Sequence, residues 1–180
     1  MMTDPAQDKG VLRRIGSGDR AAMKAFYMAY QRTVIAFARS RGMDEATSSD
    51  VVQDVMLDVW RTAHKYRGEA SAKSWLLTIA RNKIVDRVRK GARVEYVDEV
   101  PEAIDDTPNP EAITISVSEA GRVRACLDRL KAAHRTVMRL AFYEDLTYDE
   151  IADIEGVPSG TIKTRVFHAK KLLLRCLGTR

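Results

Sequence analysis

The stretch from Leu146 to Leu173, LTYDEIADIEGVPSGTIKTRVFHAKKLL, decides how this chain is read. Thr147 and Glu150 stand at capping-box spacing, so the Thr hydroxyl can accept the third helical N–H while the carboxylate reaches back to the Thr147 amide. A helix therefore starts there and carries Ile151, Ala152 and Ile154. Gly156 follows, a residue that accepts the positive φ of a sharp turn, and Val157 plugs the corner. Pro158 suits an extended segment before a new start, Ser159 is read as the cap, and the second helix is expected from Gly160 to about Leu177.

On the helical period, Ile162, Val166, Ala169 and Leu173 share one stripe, which should be buried. The opposite stripe holds Lys163, Thr164, Phe167, Lys170 and Lys171. From Thr161 to the C-terminus there are six Lys or Arg and no acid, so the second helix is basic as well as amphipathic. A helix, a tight turn and a basic second helix make a helix-turn-helix. That motif lays its second helix in the DNA major groove, with its first residues at base edges and basic residues beyond them on phosphates. Phe167 has no folding reason to sit on the polar side, whereas contact with a thymine methyl would supply one. Six acids and no base lie from Glu144 to Glu155, so the first helix should face away from phosphate. The competing reading is a two-helix core element whose charges are merely solvated. Turn, caps and charge acting together favour DNA.

At 180 residues and 45% apolar composition the chain suits one domain or two small ones. Its formal net charge of +5 says less than the uneven distribution of that charge. Cys126 and Cys176 lie far apart without CxxC or Cys/His ligand spacing. Neither a disulfide framework nor a zinc site is expected, and a reduced cytosolic setting fits. The polar, acidic start lacks a basic segment followed by an apolar run, and no stretch of roughly eighteen apolar residues exists. A soluble, cytoplasmic protein without membrane insertion follows as an expectation. Strand signals are nearly absent, so the fold class is all-α. Three scattered histidines (His64, His134, His168), no phosphate-cradling glycine loop and no nucleophile motif speak against an enzyme, and no cofactor or metal is expected.

From Val94 to Ser118 there are seven acids, no Lys or Arg, and Pro101, Pro108 and Pro110, a composition that cannot bury a core and reads as a flexible acidic linker. The division expected is an N-terminal segment over 1–18, a helical lobe over 19–91, the linker over 92–118 and a second helical lobe over 119–180. In the first lobe Asp19 caps a helix bearing Met23, Phe26, Tyr27, Tyr30, Val34, Phe37 and Ala38, closed by Gly42. A second helix, starting near Asp44 or Ser49, has Val51, Val52, Val55, Met56, Val59 and Trp60 at helical spacing. Its other face carries Asp50, Gln53, Asp54, Leu57 and Asp58. That acidic stripe with an apolar residue set into it is equally a solvated surface or a docking site for a basic partner helix.

Between Arg67 and Arg93 the charge reverses, with eight Lys or Arg against Glu69 and Asp86. A short loop from Arg67 to Ala72 precedes a helix whose buried face is read as Leu77, Ala80, Ile84 and Val88. Trp75, Thr78, Asn82 and Arg89 align on another face. A ring beside amide and guanidinium groups can stack on unpaired bases and hold phosphate, the chemistry of single-strand binding. A half-buried core Trp with ordinary surface charges is the equal alternative for Trp75 alone. In the second lobe Val123, Leu127 and Leu130 mark one helix, and Val137, Leu140, Ala141 and Tyr143 another; Arg135 and Arg139 are read as surface charges within reach of phosphate.

In this order and spacing, DVVQDVMLDVW, KSWLLTIARNKIVDRVR, a linker and LTYDEIADIEGVPSGTIKTRVFHAKKLL resemble the extracytoplasmic-function sigma factors, the smallest group of bacterial RNA polymerase initiation subunits. The resemblance spans about Ala21 to Leu177. It implies two helical domains, region 2 and region 4, and docking of Gln53, Asp54, Leu57 and Asp58 on the clamp helices of the largest subunit of core RNA polymerase. It further implies that the loop and helix holding Arg67, Gly68, Ser71, Lys73, Trp75, Asn82 and Arg89 capture a flipped base of the −10 element on the single-stranded non-template strand and wedge the promoter DNA duplex open. By the same resemblance Ser159, Thr161, Lys163, Thr164, Arg165, Phe167, His168, Lys170 and Lys171 form the −35 face, with Arg165, Lys170 and Lys171 near backbone. Many relatives carry Arg where this chain has Lys163 and His168, and Lys lacks the forked contact with guanine, so the preferred −35 sequence does not carry over. The linker is implied to thread the RNA exit channel. With no inhibitory N-terminal region and no C-terminal extension visible, regulation is expected from a separate anti-sigma protein covering the polymerase-binding surfaces. A stand-alone helix-turn-helix regulator is the alternative, one that leaves the Trp75 helix and the Gln53–Asp58 face unused.

Overall fold

The computed structural model describes residues 5–92 and 119–178. These form α1 (Pro5–Gly16), α2 (Arg20–Ser40), α3 (Glu45–Thr62), a single 3-10 turn (Ala63–Lys65), α4 (Ala72–Ala92), α5 (Glu119–Asp128), α6 (Ala132–Phe142), α7 (Tyr148–Glu155) and α8 (Ser159–Leu177), with no strand among the described residues. The expectation of an acidic linker falls on residues outside those described.

In the first lobe α2, α3 and α4 pack together. Asp19 accepts the Ala22 amide at 3.0 Å and Asp44 the Thr47 amide at 2.7 Å, which starts α2 and α3. These backbone hydrogen bonds favour the ionised caps and hold both carboxyl groups below the usual carboxylate range. Phe26, Tyr30, Val34 and Phe37 of α2 face Val51, Val52, Val55 and Val59 of α3, all buried, and α4 closes the core with Leu76, Leu77, Ala80 and Ile84. Helix α1, to which no sequence signal assigned structure, adds Leu12 and Ile15, 0% and 1% exposed. Its last residue touches the 3-10 turn so closely that a Cβ on Gly16 would stand 2.9 Å from the His64 Cα, a fit open only to glycine.

Several stripe assignments are corrected. Tyr27 and Trp60 lie at the rim of the α2–α3 core and remain exposed. Val88, read as buried, is 53% exposed, because the buried stripe of α4 stops one turn earlier at Ile84. Tyr143, at the C-cap of α6, is likewise turned outward.

The second lobe gathers Leu130, Val137, Leu140, Leu146, Ile151, Ile154, Ile162, Val166 and Ala169 into its core. Cys126 of α5 and Cys176 of α8 form a disulfide, with Cα atoms 5.9 Å apart. This overturns the expectation of unpaired thiols. The two residues are 50 apart in sequence, and they meet because α5 packs along the far end of α8, a tertiary contact that no local cysteine spacing encodes. The lobes are themselves in contact, α4 against α7 and α2 against α6.

Candidate nucleic-acid interface

The helix-turn-helix is built as its residues require. Thr147 Oγ1 accepts the Glu150 amide at 3.2 Å, and Glu150 Oε2 accepts the Thr147 amide at 3.0 Å, a complete capping box. Gly156 ends α7 at φ 68°, the left-handed conformation that a side chain would strain, and Val157 packs against the core. Ser159 is not the cap of the second helix. Pro158 holds that position at φ −59° and ψ 145°, its carbonyl accepting the Thr161 amide at 2.9 Å, and Ser159 is already helical. The proline ring sets the approach to α8 without a capping hydroxyl.

Ile162, Val166 and Ala169 anchor α8 in the core and thereby turn Lys163, Thr164, Phe167, His168, Lys170 and Lys171 to solvent, while Ser159, Thr161 and Arg165 are half-buried at its edge. Phe167 is 65% exposed, so its ring contributes little to folding. It meets His168 edge-on with ring centroids 5.6 Å apart, and Lys170 Nζ lies 5.0 Å from the Phe142 ring centroid. Behind this face stands His134 of α6, half-buried, its Nδ1 without a hydrogen-bond partner among the described residues. Burial pushes its imidazole pKa down, and the neighbouring His168, Arg165 and Lys131 push the same way. Sequence reading counted His134 only as a scattered histidine, since its proximity to α8 is a tertiary fact.

On the other lobe, Ser71 caps α4, its Oγ accepting the Ser74 amide at 3.1 Å, while Gly68 turns the preceding loop at φ 78°. Tyr66 donates to the Ala70 carbonyl at 2.6 Å and packs its ring 5.3 Å from that of Trp75. Trp75 is half-buried against the core. Arg67, Asn82 and Arg89 are exposed, whereas Ser71 and Lys73 point at the C-terminal lobe: Ser71 Oγ donates to Glu150 at 2.8 Å and Lys73 Nζ to the Glu144 carbonyl at 2.9 Å. The residues grouped on this face are thus only partly brought together in the open.

The acidic stripe of α3 differs from both sequence readings in one respect: its carboxylates already have cations. Arg87 of α4 pairs with Asp54 at 2.6 Å and with Asp50 at 3.5 Å, and Lys83 pairs with Asp58. The hydrogen bond to Asp54 holds the Arg87 guanidinium firmly charged, its pKa raised further. Gln53 and Leu57 stand exposed beside these pairs, Leu57 at 53%. Arg135 and Arg139, read as surface charges, bond instead within the protein, Arg135 to the Ser40 and Asp128 carbonyls and Arg139 to Glu144.

Among the described residues no group of three or more His, Cys, Asp or Glu side chains is placed to hold a metal ion, and no helix is long and apolar enough to cross a membrane.

Comparison with known proteins follows the same division. Residues 26–94 match the family model Sigma-70 region 2, and residues 120–173 match Sigma-70, region 4. The chain is 34% identical over 177 residues to the ECF RNA polymerase sigma factor SigK of Mycolicibacterium vanbaalenii, covering 96% of this chain and 90% of that protein. It is 33% identical over 153 residues to the ECF RNA polymerase sigma factor RpoE of Cereibacter sphaeroides, 82% of each chain. Among solved structures, the sigma factor RpoE from Bartonella quintana, crystallised with the anti-sigma factor NepR, superposes with a TM-score of 0.65 at 25% identity, over 86% of this chain and 96% of that one. CnrH, in complex with the cytosolic domain of CnrY, shares the fold with a TM-score of 0.66 at 23% identity, over 97% of this chain and 98% of that one. A core-building helical lobe with a basic helix, followed by a capped helix-turn-helix with an outward aromatic and basic face, and matched nearly end to end, makes this chain a member of the ECF RNA polymerase sigma factors.

Proposed function

We propose that the chain acts in the cytoplasm as a dissociable initiation subunit that lends promoter recognition to a core RNA polymerase it does not itself contain. In this reading α8 reads the −35 element, with Lys163, Thr164, Phe167 and His168 at base edges and Arg165, Lys170 and Lys171 on phosphates. Ser159 and Thr161 meet the DNA at the helix start. The loop before α4 and the face bearing Arg67, Gly68, Ser71, Lys73, Trp75, Asn82 and Arg89 take the non-template strand of the −10 element. Gln53, Asp54, Leu57 and Asp58 meet the polymerase, and an anti-sigma protein covers the same surfaces, as NepR accompanies the Bartonella relative.

The observation that carries the proposal is the exposure of Phe167 among cations on a helix whose opposite face is fully buried. An aromatic ring kept in water at that position has use only against a ligand, and the cations around it suit nucleic acid. Pull-down with core polymerase followed by run-off transcription tests the reading. Association with core and specific transcripts are expected, with weak duplex binding by the free protein. Tight, specific duplex binding without affinity for polymerase would instead identify a stand-alone regulator.

A further inference from the structure

Three glutamates at the α6–α7 corner each hold a donor from the N-terminal lobe. Glu150 accepts from Ser71 at 2.8 Å through one carboxylate oxygen while the other keeps the capping box. Glu144, with its side chain only 9% exposed, lies 3.5 Å from Lys73 Nζ and 3.2 Å from Arg139, and accepts from Thr33 at 3.4 Å. Glu155 pairs with Arg41, and its backbone carbonyl accepts from Arg81 at 3.3 Å. Beside these, the hydroxyls of Ser40 and Thr136 are 3.2 Å apart and Arg135 donates to the Ser40 carbonyl at 3.2 Å. The acids that sequence reading turned away from phosphate are therefore turned toward the basic helix of the same chain.

A carboxylate offers a hydroxyl or an ammonium the same charged oxygen acceptors that a phosphate does. Ser71 and Lys73 belong to the loop and helix read above as the single-strand face, and the inference rests on that reading. The Lys73 side chain is 27% exposed, and its partner is nearly sealed, so a nucleic-acid strand cannot reach Lys73 while the pair persists. Partly exposed ion pairs contribute little each, so a large partner can displace them. We propose that Glu144, Glu150 and Glu155 stand in for nucleic-acid phosphate, holding the strand-capturing loop and α4 shut in the free protein until the lobes are drawn apart.

The test uses the full chain and two readouts: small-angle X-ray scattering for the separation of the lobes, and anisotropy of a labelled, mixed-sequence single-stranded DNA for access to α4. Glu155→Lys places a third cation beside Arg41 and Arg81 and should expand the particle and raise DNA affinity roughly tenfold. Arg41→Glu combined with Glu155→Lys should restore both the compact particle and the weak binding. Asp153→Lys, the same charge change on the exposed side of α7, should leave the particle compact and raise affinity less. An unchanged particle with Glu155→Lys folded, an expanded one with no gain over Asp153→Lys, or a charge swap that fails to close would each overturn the proposal. If Glu155→Lys does not fold, the unaltered protein decides: a compact particle that loosens as salt rises is expected, and lobes already apart at low salt overturn it. Failure of the functional reading looks different, since then neither protein engages the DNA even when assembled with core polymerase.

Discussion

The Asp54 carboxylate on α3 accepts a 2.6 Å hydrogen bond from the Arg87 guanidinium on α4, so the acidic stripe is tied to the basic helix behind it. The pair fixes where the negative charge sits without removing it from the surface, since the Asp54 side chain remains 43% exposed. Asp54→Asn keeps the shape and one acceptor, which makes it a cleaner probe than charge reversal against Arg87. Association with core polymerase should weaken roughly tenfold, measured by titration of labelled protein. The melting temperature should move little, because a pair this exposed contributes about 0–1 kcal/mol. Unchanged association would remove Asp54 from the interface.

On α8, Lys163→Ala and Phe167→Ala should alter which −35 sequences are preferred, each lost base contact costing about 1–3 kcal/mol of discrimination. Both side chains project into solvent, so thermal stability should hold. Binding measured against a panel of −35 variants separates the possibilities: selective loss marks base reading, and equal weakening on every sequence marks backbone contact.

Leu12→Ala asks whether α1 is part of the lobe's core. Leu12 is fully buried, so truncation should cost about 2–5 kcal/mol in urea unfolding. A loss near zero would mean that α1 packs only loosely and that the lobe stands without it.

What could be read in advance divides along a physical line. The capping box at Thr147 and Glu150, the left-handed Gly156 and the buried stripe through Ile162, Val166 and Ala169 are local and periodic, so adjacent residues dictate them. Helix α1 was missed because only Val11, Leu12 and Ile15 mark it, too short a run for periodicity to show. The Cys126–Cys176 bond, the Arg87–Asp54 pair and the embrace of Lys73 by Glu144 join residues far apart in sequence, and no spacing rule reaches them. For the candidate site, residue types and faces were legible. Their electrostatic partners were not, and neither was the exposure of Val88, where the packing of α4 simply ends.

The Cys126–Cys176 bond closes a long loop that contains α6, α7 and most of α8, and such a crosslink restricts chiefly the unfolded chain. Reduction should therefore destabilise the C-terminal lobe by about 2–4 kcal/mol. Thermal melts with and without a thiol reductant check this, with the Cys126→Ser, Cys176→Ser double variant expected to melt like the reduced protein and to ignore the reductant. If reductant leaves the unaltered protein's melt in place, the cysteines are thiols in solution.

His134 supplies a pH dependence whose sign follows from its surroundings. Burial, then the positive charges of His168, Arg165 and Lys131, lower its pKa in the folded protein, so the fold binds the proton less well than the unfolded chain does. Its stabilising contribution is present above the unfolded value of about 6.5 and is lost as pH falls through that value. Urea unfolding between about pH 7.5 and pH 5.5 should show stability falling with pH, and His134→Gln should flatten that part of the profile. DNA binding should run the other way: a phosphate beside Arg165 and His168 favours the charged imidazole, so affinity for a −35 duplex should rise as pH falls, and less so in the variant. A His134→Gln protein with the same two slopes as its parent would place the titration elsewhere, with exposed His168 the first candidate.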